Sequence, residues 1–296
     1  MNVDEIATLL FSGLTSASLL FLVAAGLTLI FGAMHIVNIA HGSFYMLAAF
    51  VVVSLTTAAA AHSVAMFWVA MVVAPILIGI LGAVTEVLVL RRLYGREPLL
   101  GLLATFGLLY IFEGVALLVW GGQFRSIPIP PAFQGHFQAV GGTFSIYDLF
   151  VIAVAVAVGI VLWWLLQRTQ LGWRVRAAVE DPETLAAAGT NVRLLFTGIF
   201  ALGVVLAGIA GAVTGPIESV TTGLDTQILV EAFIVVVIGG LGSVPGAAIG
   251  AILIGLFETA GVLWAPGFAS AFIYLAMILV LIIRPSGLLG VAERVS

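Results

Sequence analysis

Residues 26–50 read GLTLIFGAMHIVNIAHGSFYMLAAF, in which two apolar runs are separated by a polar stretch that begins at His35. The polar stretch contains two histidines, an asparagine, a glycine–serine pair and a tyrosine. Such groups are costly inside a bilayer unless they face protein or a water-filled cavity. The stretch therefore predicts that an apolar helix is interrupted at this point.

The composition indicates that the surrounding solvent is a membrane. The chain has 296 residues, of which 62% are hydrophobic and only 8% are charged, whereas a soluble domain carries about 25% charged residues. The absence of cysteine excludes disulfides, thiolate metal sites and a cysteine nucleophile. The first residues, MNVDEIATLLFSGL, carry two acids and no basic segment, so they predict a retained first span rather than a cleaved signal peptide.

Apolar runs that approach a membrane span of about 20 residues recur along the whole chain. They lie near 6–33, 38–57, 66–90, 99–120, 147–167, 195–216, 228–240, 246–264 and 268–283. Because 228–264 is either two spans or one broken span, we predict an all-α polytopic membrane protein with eight to nine transmembrane segments, including Gly-interrupted helices.

The arginines predict the orientation of these segments, because positive residues near span ends mark the cytoplasmic side. One polar break carries Arg91, Arg92 and Arg96, and a later one carries Arg168, Arg174, Arg176 and Arg193. We therefore expect 168–193 to be cytoplasmic and the Gly- and Pro-rich 121–146 to be an extracytoplasmic loop, with room for a small hairpin. Arg284 and Arg294 favour a cytoplasmic C-terminus, which requires an odd number of crossings and favours nine.

Within 168–193, the stretch EDPETLAAAG predicts a short capped helix over about 182–188. Asp181 is a suitable N-cap and Pro182 suits the first helical position. Glu183 complements the positive end of the helix, and Gly189 can adopt the left-handed C′ conformation. The pattern predicts either a rigid surface that a soluble partner grips or an ordinary interfacial loop helix.

Neither a metal site nor a catalytic nucleophile is well supported in the stretch 35–46. His35 and His41 lie six residues apart, about 240° around a helix, so they do not share a face, and no cysteine or nearby carboxylate completes a metal site. A nucleophilic Ser43 lacks an orienting acid. A structural interpretation puts His35 at the cytoplasmic membrane interface and makes Asn38 the cap of the second span. It explains His41, Gly42 and Ser43 less well, because they already lie inside the second apolar run.

A second glycine-rich stretch, GGLGSVPGAAIGA, begins at Gly239. Paired glycine-interrupted segments are typical of a transporter's substrate site near the middle of the membrane, although close helix packing also requires small residues. We predict a substrate pathway lined by two groups of residues. They are Asn38, His41, Gly42 and Ser43, together with Gly239, Gly240, Gly242 and Ser243.

The acidic residues fall into three groups. We expect Glu86 to pair with Arg91 or Arg92 at the interface, and the deeper Glu113 and Glu258 to be functional candidates. Glu218, Asp225 and Glu231 cluster near the outer end of two spans, where they form either a docking rim or, as we prefer, solvated loop charges. No phosphate-binding GxxxxGK[ST] motif occurs and lysine is absent, so any ATP must be bound by another subunit.

The stretches GLTLIFGAMHIVNIAHGSFYMLAAF, EPLLGLLATFGLLYIFEG, RAAVEDPETLAAAGTNV, VVVIGGLGSVPGAAIGA and RPSGLLG resemble the branched-chain amino-acid ABC transporter permeases of the LivH type. The resemblance covers nearly the whole chain, and one departure is Thr190, where the family usually has isoleucine. It implies one permease domain over 1–296 in a bacterial inner membrane. It also implies that 168–193, with Arg176, Asp181, Pro182, Glu183 and Gly189, couples to an ATPase.

The resemblance further implies the partners: a LivM-type permease, two cytoplasmic ATPase subunits that bind the ATP, and a periplasmic solute-binding protein. It implies no cofactor in this chain, no enzymatic activity and no nucleic acid. Two rival classes stay open at this stage. An ion-coupled secondary transporter would work without partners, whereas an intramembrane enzyme would require convergent catalytic groups that the sequence does not assemble. The resemblance favours branched-chain or related amino acids as the substrate, and the sequence does not distinguish these from other amino acids, urea, amides or short aromatic acids.

Overall fold

The computed structural model describes residues 3–58, 64–139 and 142–290, which form eleven α-helices and one short β-hairpin. In chain order the helices are α1 (Val3–Met34), α2 (His41–Ala58), α3 (Val64–Leu88), α4 (Pro98–Trp120), α5 (Ile146–Arg168), α6 (Gln170–Glu180), α7 (Pro182–Ala187), α8 (Val192–Thr214), α9 (Leu224–Gly239), α10 (Val244–Trp264) and α11 (Ala269–Ile283). Seven helical segments in these ranges are long and apolar enough to cross a bilayer. The predicted all-α membrane fold is confirmed, whereas the count of eight to nine spans stays a prediction.

The helices run between two ends of the bundle, which differ in charge. The arginine-rich end contains residues 90–97, α6, α7 and the segment 284–290. The opposite end contains the loop after α4, where the backbone of Arg125 pairs with Val220, and the end of α2, where Trp120 Nε1 donates to Ser54 Oγ over 2.6 Å. The charge asymmetry seen in the sequence is therefore an asymmetry between the two faces of the fold.

Helix α1 is the central helix of the bundle and packs against α5, α8, α9 and α10. Its middle is fully enclosed, with Leu22, Val23 and Ala24 at 0% exposure. The face of α10 that is buried is made of small residues such as Ala247 and Ala251, because small side chains let apolar helices approach closely where no water drives their association.

Two apolar helices, α2 and α9, begin inside the bundle rather than at its ends. Helix α1 ends at Met34, yet the ring of His41 at the start of α2 lies 3.1 Å from the carbonyl oxygen of Val23. Val23 is eleven residues before the end of α1, about 16 Å back along the helix. The intervening residues 35–40 have thus carried the chain back into the bundle, and the predicted interruption of the apolar run lies here.

Helix α9 has the inverse arrangement. Residues 215–223 carry the chain into the bundle from the end that contains the loop after α4, where Val220 pairs with Arg125. Helix α9 then starts at Leu224. The Ser43 side chain near the start of α2 donates to Asp225 near the start of α9. The two short helices, of 18 and 16 residues, therefore meet at their N-termini and run toward opposite ends of the bundle.

The region 228–264 forms two antiparallel helices joined by a tight turn, so Gly239–Ser243 is not a break within one span. Gly240 and Gly242 have φ of 101° and 82° in this turn, which side chains disfavour. The segment after α11 covers the turn, since the backbone N–H of Leu288 donates to Ile238 O over 2.7 Å. Arg294, which entered the topology prediction, lies outside the described residues.

The loop after α4 contains the expected hairpin, formed by β1 (His136–Ala139) and β2 (Gly142–Ser145), with His136 opposite Ser145. Phe137 and Phe144 both contact the ring of Phe11 in α1, at centroid distances of 5.7 and 4.4 Å. Aromatic contacts of this kind add to the burial of the rings, and they fix the hairpin on the end of α1.

Candidate functional site

The N-termini of α2 and α9 meet around one buried carboxylate. Ser43 Oγ donates to Asp225 Oδ2 over 3.0 Å, and the backbone N–H of Thr226 donates to Asp225 Oδ1 over 2.9 Å. Ser43 and Asp225 are both fully buried. Because helix N-termini carry partial positive charge, a carboxylate between two of them is stabilised without a cationic partner.

Next to this junction lie buried polar atoms that have no partner among the described residues. They are both amide atoms of Asn38 and His41 Nδ1. An unsatisfied buried polar group costs about 1–3 kcal/mol, so several of them close to one chain break are unusual. The side chain of Asn38 does not cap α2, and only its backbone oxygen accepts from His41 N. The capping interpretation of Asn38 is therefore wrong.

The structure does not bring the two predicted groups of pathway residues together. Asn38, His41, Gly42 and Ser43 lie at the start of α2, beside Asp225. Gly239, Gly240, Gly242 and Ser243 lie at the other end of α9, fourteen or more residues from Asp225, which corresponds to at least about 21 Å. The Gly-Ser pairs match in sequence. In the structure, however, the segment that carries the chain into the bundle as 35–40 does is 215–223, and not 239–243.

Close packing accounts for Gly42 and Gly242. A Cβ atom on Gly42 would overlap the carbonyl oxygen of Asp225, and Gly242 Cα lies 3.0 Å from the Cβ position of Gly32. Both glycines allow two backbones to approach, which is the alternative to a pathway role. The polar side chains of Asn38, His41 and Ser43 have no such packing explanation.

Three carboxylates near the end of the bundle that carries the hairpin line a small cavity of about 40 Å³, together with Ser16 and Tyr45. They are Glu218, Glu231 and Glu258. Desolvation of its carboxylate raises the pKa of Glu218, while the residue as a whole remains exposed. The expectation of solvated loop charges is wrong for Asp225, which is fully buried, whereas Glu218 is an exposed loop residue and Glu231 is half-buried. The signal that could have placed Asp225 is its position in the first turn of a helix, after Gly223 with φ of 96°.

Glu86 at the arginine-rich end pairs with Arg91, as expected, through Nη2–Oε2 at 3.0 Å, whereas Arg92 is not its partner. The same fully buried carboxylate accepts from Tyr94 OH over 2.6 Å and from Thr197 Oγ1 over 2.7 Å. These bonds join the end of α3 to α8. Sequence spacing indicated the local pair but could not show Thr197, which is 111 residues away.

The short helix α7 has the predicted caps. Asp181 Oδ1 accepts from the backbone N–H groups of Glu183 and Thr184, both over 3.0 Å, and Pro182 is the first helical residue. Gly189 has φ of 88°. Hydrogen bonds from the Thr184 side chain and from the backbone lower the pKa of Asp181. The helix ends at Ala187 rather than 188, and none of its residues is buried.

Arg176 differs from the other predicted coupling residues in its position. It lies in α6, where its Nη1 donates to the carbonyl oxygen of Leu166 over 2.7 Å and its guanidinium stacks 4.6 Å from the ring centroid of Trp173. The side chain thus connects α6 to the end of α5 and does not extend toward α7.

Short helices that meet inside an apolar bundle, next to polar groups without partners, are typical of membrane transport proteins. The fold and its interior therefore define a polytopic transport permease. The chain belongs to the family of branched-chain amino acid transport system permease components, whose model matches residues 9–281. It is a permease subunit of an ABC importer in the inner membrane, a transport subunit and not an enzyme.

Individual relatives extend over nearly the whole chain. It is 29% identical to the high-affinity branched-chain amino acid transport system permease protein BraD of Pseudomonas aeruginosa, over 96% of this chain and 95% of that protein. It is 24% identical to the corresponding permease protein LivH of Escherichia coli K12, with the same coverage. A probable LivH of Methanocaldococcus jannaschii is 26% identical over 93% of this chain and 90% of its own length.

Proposed function

We propose that this permease imports branched-chain amino acids together with a LivM-type permease, two cytoplasmic ATPase subunits that bind the ATP, and a periplasmic solute-binding protein. The relatives BraD and LivH are described as parts of branched-chain amino acid transport systems, and their similarity spans the chain. We expect no cofactor in this chain itself, because the energy of ATP hydrolysis is supplied through the partner subunits.

The proposed orientation puts the arginine-rich end in the cytoplasm. The loop 121–146 with its hairpin then faces outward, where a loaded solute-binding protein would dock. The segment 168–193 faces the ATPase subunits. In this orientation α7 projects into the cytoplasm, with the caps at Asp181 and Gly189 holding it rigid.

One observation carries the coupling proposal: α7 is capped at both ends although none of its residues is buried by the rest of the chain. An isolated two-turn helix is unstable in water, so a helix of which Leu185 alone packs partly against the bundle is suited to burial against another subunit. Movement of the ATPase pair would push on this helix, and the bundle would alternate between outward- and inward-open states.

We further propose that the substrate passes the junction of α2 and α9, where Asn38, His41 and Ser43 supply polar groups. A solute that carries both an ammonium and a carboxylate group can hydrogen bond to the unpartnered atoms of Asn38 and His41. The junction also contains the positive N-termini of two helices, with Asp225 as their internal counter-charge. We place Gly239, Gly240, Gly242 and Ser243 at the cytoplasmic exit.

Coupling is tested by the double variant Asp181→Ala, Gly189→Val. The first change removes an N-cap, at a cost of about 0.5–2 kcal/mol, and the second strains a left-handed residue. We expect membrane levels near wild type, with strongly reduced uptake and an ATPase activity that no longer responds to the loaded binding protein.

The opposite end of the bundle offers a matched control. Ser145 is the N-cap of α5, and Gly121 follows α4 with φ of 77°. The double variant Ser145→Ala, Gly121→Val carries the same two kinds of change in the loop proposed to contact the binding protein, so the matched readout is binding of the ATPase subunits. This variant should keep that binding, whereas the Asp181 and Gly189 double variant should weaken it. Normal uptake by the Asp181 and Gly189 double variant would show that α7 is an ordinary loop helix. The substrate is tested separately, by measuring which amino acids bind the cognate solute-binding protein.

A further inference from the structure

Two cavities lie one after the other along α1, α5 and α10. The apolar cavity, of about 350 Å³, is lined by side chains such as Phe21, Ile160 and Trp163. The polar cavity, of about 420 Å³, lies toward the arginine-rich end and is lined by Thr28, Arg176 and the first residues of α10. On α5 and on α10 they are only about one helical turn apart, so one elongated ligand can occupy both.

The apolar cavity opens sideways, toward the lipid. Val156, Ile160 and Trp163, which form its wall on α5, are each more than half exposed on the outer surface of the bundle. The two cavities together follow α5 from Ile152 to Gln167, a distance of about 22 Å. One leaflet with its headgroup region is about 20–22 Å thick, so the pair of cavities has the length of one lipid.

The polar cavity presents positive groups. Arg176 forms no ion pair with a carboxylate in the described part of the chain. The N-terminus of α10 also lines the cavity, through Ser243 and Val244, and contributes the positive end of a 21-residue helix. Arg168 lies 5.8 Å from the ring centroid of Trp163, close to the junction of the two cavities. These groups favour an anion.

Thr28 supplies an independent indication of a ligand. Thr15 and Ser18 in the same helix donate to the carbonyl oxygens four residues earlier, over 3.1 and 2.7 Å. The hydroxyl of Thr28 is fully buried, lines the polar cavity and has no partner among the described residues. It lies six residues before the end of α1, about 9 Å deeper in the bundle, which is the level of lipid ester groups rather than phosphates.

We propose that the two cavities bind one anionic phospholipid. Its phosphate contacts Arg176 and the N-terminus of α10, an ester carbonyl accepts from the Thr28 hydroxyl, and an acyl chain fills the apolar cavity. A helix of a partner permease would fill the apolar part but would leave these donors without an acceptor. The proposal holds for any transported solute, since it depends only on this groove.

The test is native mass spectrometry of the delipidated, detergent-solubilised transport complex. It is titrated with phosphatidylglycerol or with phosphatidylcholine of the same acyl chains, and glycerol phosphate serves as the free-anion probe. We expect preferential retention of phosphatidylglycerol. Arg176→Gln should weaken its binding about tenfold or more, and Thr28→Val about two- to tenfold. The first effect is larger because a hydrogen bond that involves a charged group stabilises a complex more than one between neutral groups.

Two variants serve as matched controls. Arg174→Gln removes an arginine of the same helix that does not line either cavity, and Thr15→Val removes a hydroxyl of the same helix that is already bonded. Because the Thr28 hydroxyl has no partner among the described residues, Thr28→Val should not impair folding. Equal binding of phosphatidylcholine or of glycerol phosphate, equal effects of the control variants, or a complex in which the partner permease excludes all lipid would each overturn the proposal.

Discussion

At the scale of single residues, the junction of α2 and α9 depends on the absence of one side chain and the presence of one charge. Gly42 lets the start of α2 approach the backbone of α9, and Asp225 places a carboxylate between two helix N-termini. The junction also includes Leu229, whose Cβ lies 3.1 Å from the Cβ position of Gly42. Its geometry therefore depends on direct backbone contact and on the bond from Ser43.

We expect Gly42→Ala to disturb this contact. The new Cβ atom would overlap the carbonyl oxygen of Asp225, and overpacking of a core costs about 1–3 kcal/mol or more. Thermal unfolding of the purified complex measures the loss. Gly107→Ala on α4 is the control, since a Cβ there has open space around it. If both variants have the same stability, the close approach of α2 and α9 is refuted.

The bond between Ser43 and Asp225 can be measured by a double-mutant cycle. We expect Ser43→Ala and Asp225→Ala to be coupled by about 0.5–3 kcal/mol, as is usual for residues in direct contact. The free energy of unfolding of both single variants and of the double variant supplies the value. Pairing Ser54→Ala with Asp225→Ala should be additive, because Ser54 bonds to Phe50 and Trp120 instead. Additivity at Ser43 would contradict the structure.

At the scale of elements, the buried carboxylate of Glu86 joins the end of α3 to the first turns of α8, the helix that follows α7. One guanidinium and two hydroxyls satisfy it. Such a group stabilises the contact between two helices only while its partners stay in place, because an uncompensated buried charge is costly.

Glu86→Ala should therefore destabilise the bundle by about 3–5 kcal/mol, the usual cost of removing one member of a buried pair. Arg91 would remain without its counter-charge, and the hydroxyls of Tyr94 and Thr197 would lose their acceptor. The midpoint of thermal unfolding of the complex is the measurement. Glu97→Ala, at an exposed position before α4 that makes no side-chain capping bond, should leave it nearly unchanged. A small effect of Glu86→Ala would show that water satisfies this site.

At the scale of the whole molecule, the fold has one arginine-rich end and one end that carries the hairpin. The apolar helices run between them, and α2 and α9 start from the interior in opposite directions. This inverse relation of two short helices is typical of the inverted repeats of transporters.

The orientation in the membrane is tested by single cysteines, which this cysteine-free chain permits without background. Ala132 in the loop after α4 and Ala187 at the end of α7 are both exposed. A membrane-impermeant maleimide should label Ala132→Cys in intact cells and Ala187→Cys only after permeabilisation, since the positive end is retained in the cytoplasm. Labelling of both positions from one side would refute the orientation, and with it the proposed binding-protein and ATPase faces.

The sequence alone determined the features that depend on composition and on neighbouring residues. The membrane environment follows from the scarcity of charge, the caps of α7 from Asp181, Pro182 and Gly189, and the interruption near His41 from polar residues within an apolar run. The pair of Glu86 and Arg91 also followed, because the two lie five residues apart. Each of these is set by interactions along a few turns of chain, so local patterns contain the information.

Only the tertiary structure decided which distant segments meet. The repeated Gly-Ser pair suggested that Gly242 lies beside Gly42, whereas the true partner of Gly42 is Asp225, and Asp225 is buried rather than solvated. In an apolar bundle nearly every helix face is acceptable to lipid, so hydrophobic patterning does not specify a neighbour. The choice is made by close backbone approach and by satisfaction of buried polar groups, and both depend on residues far apart in the chain.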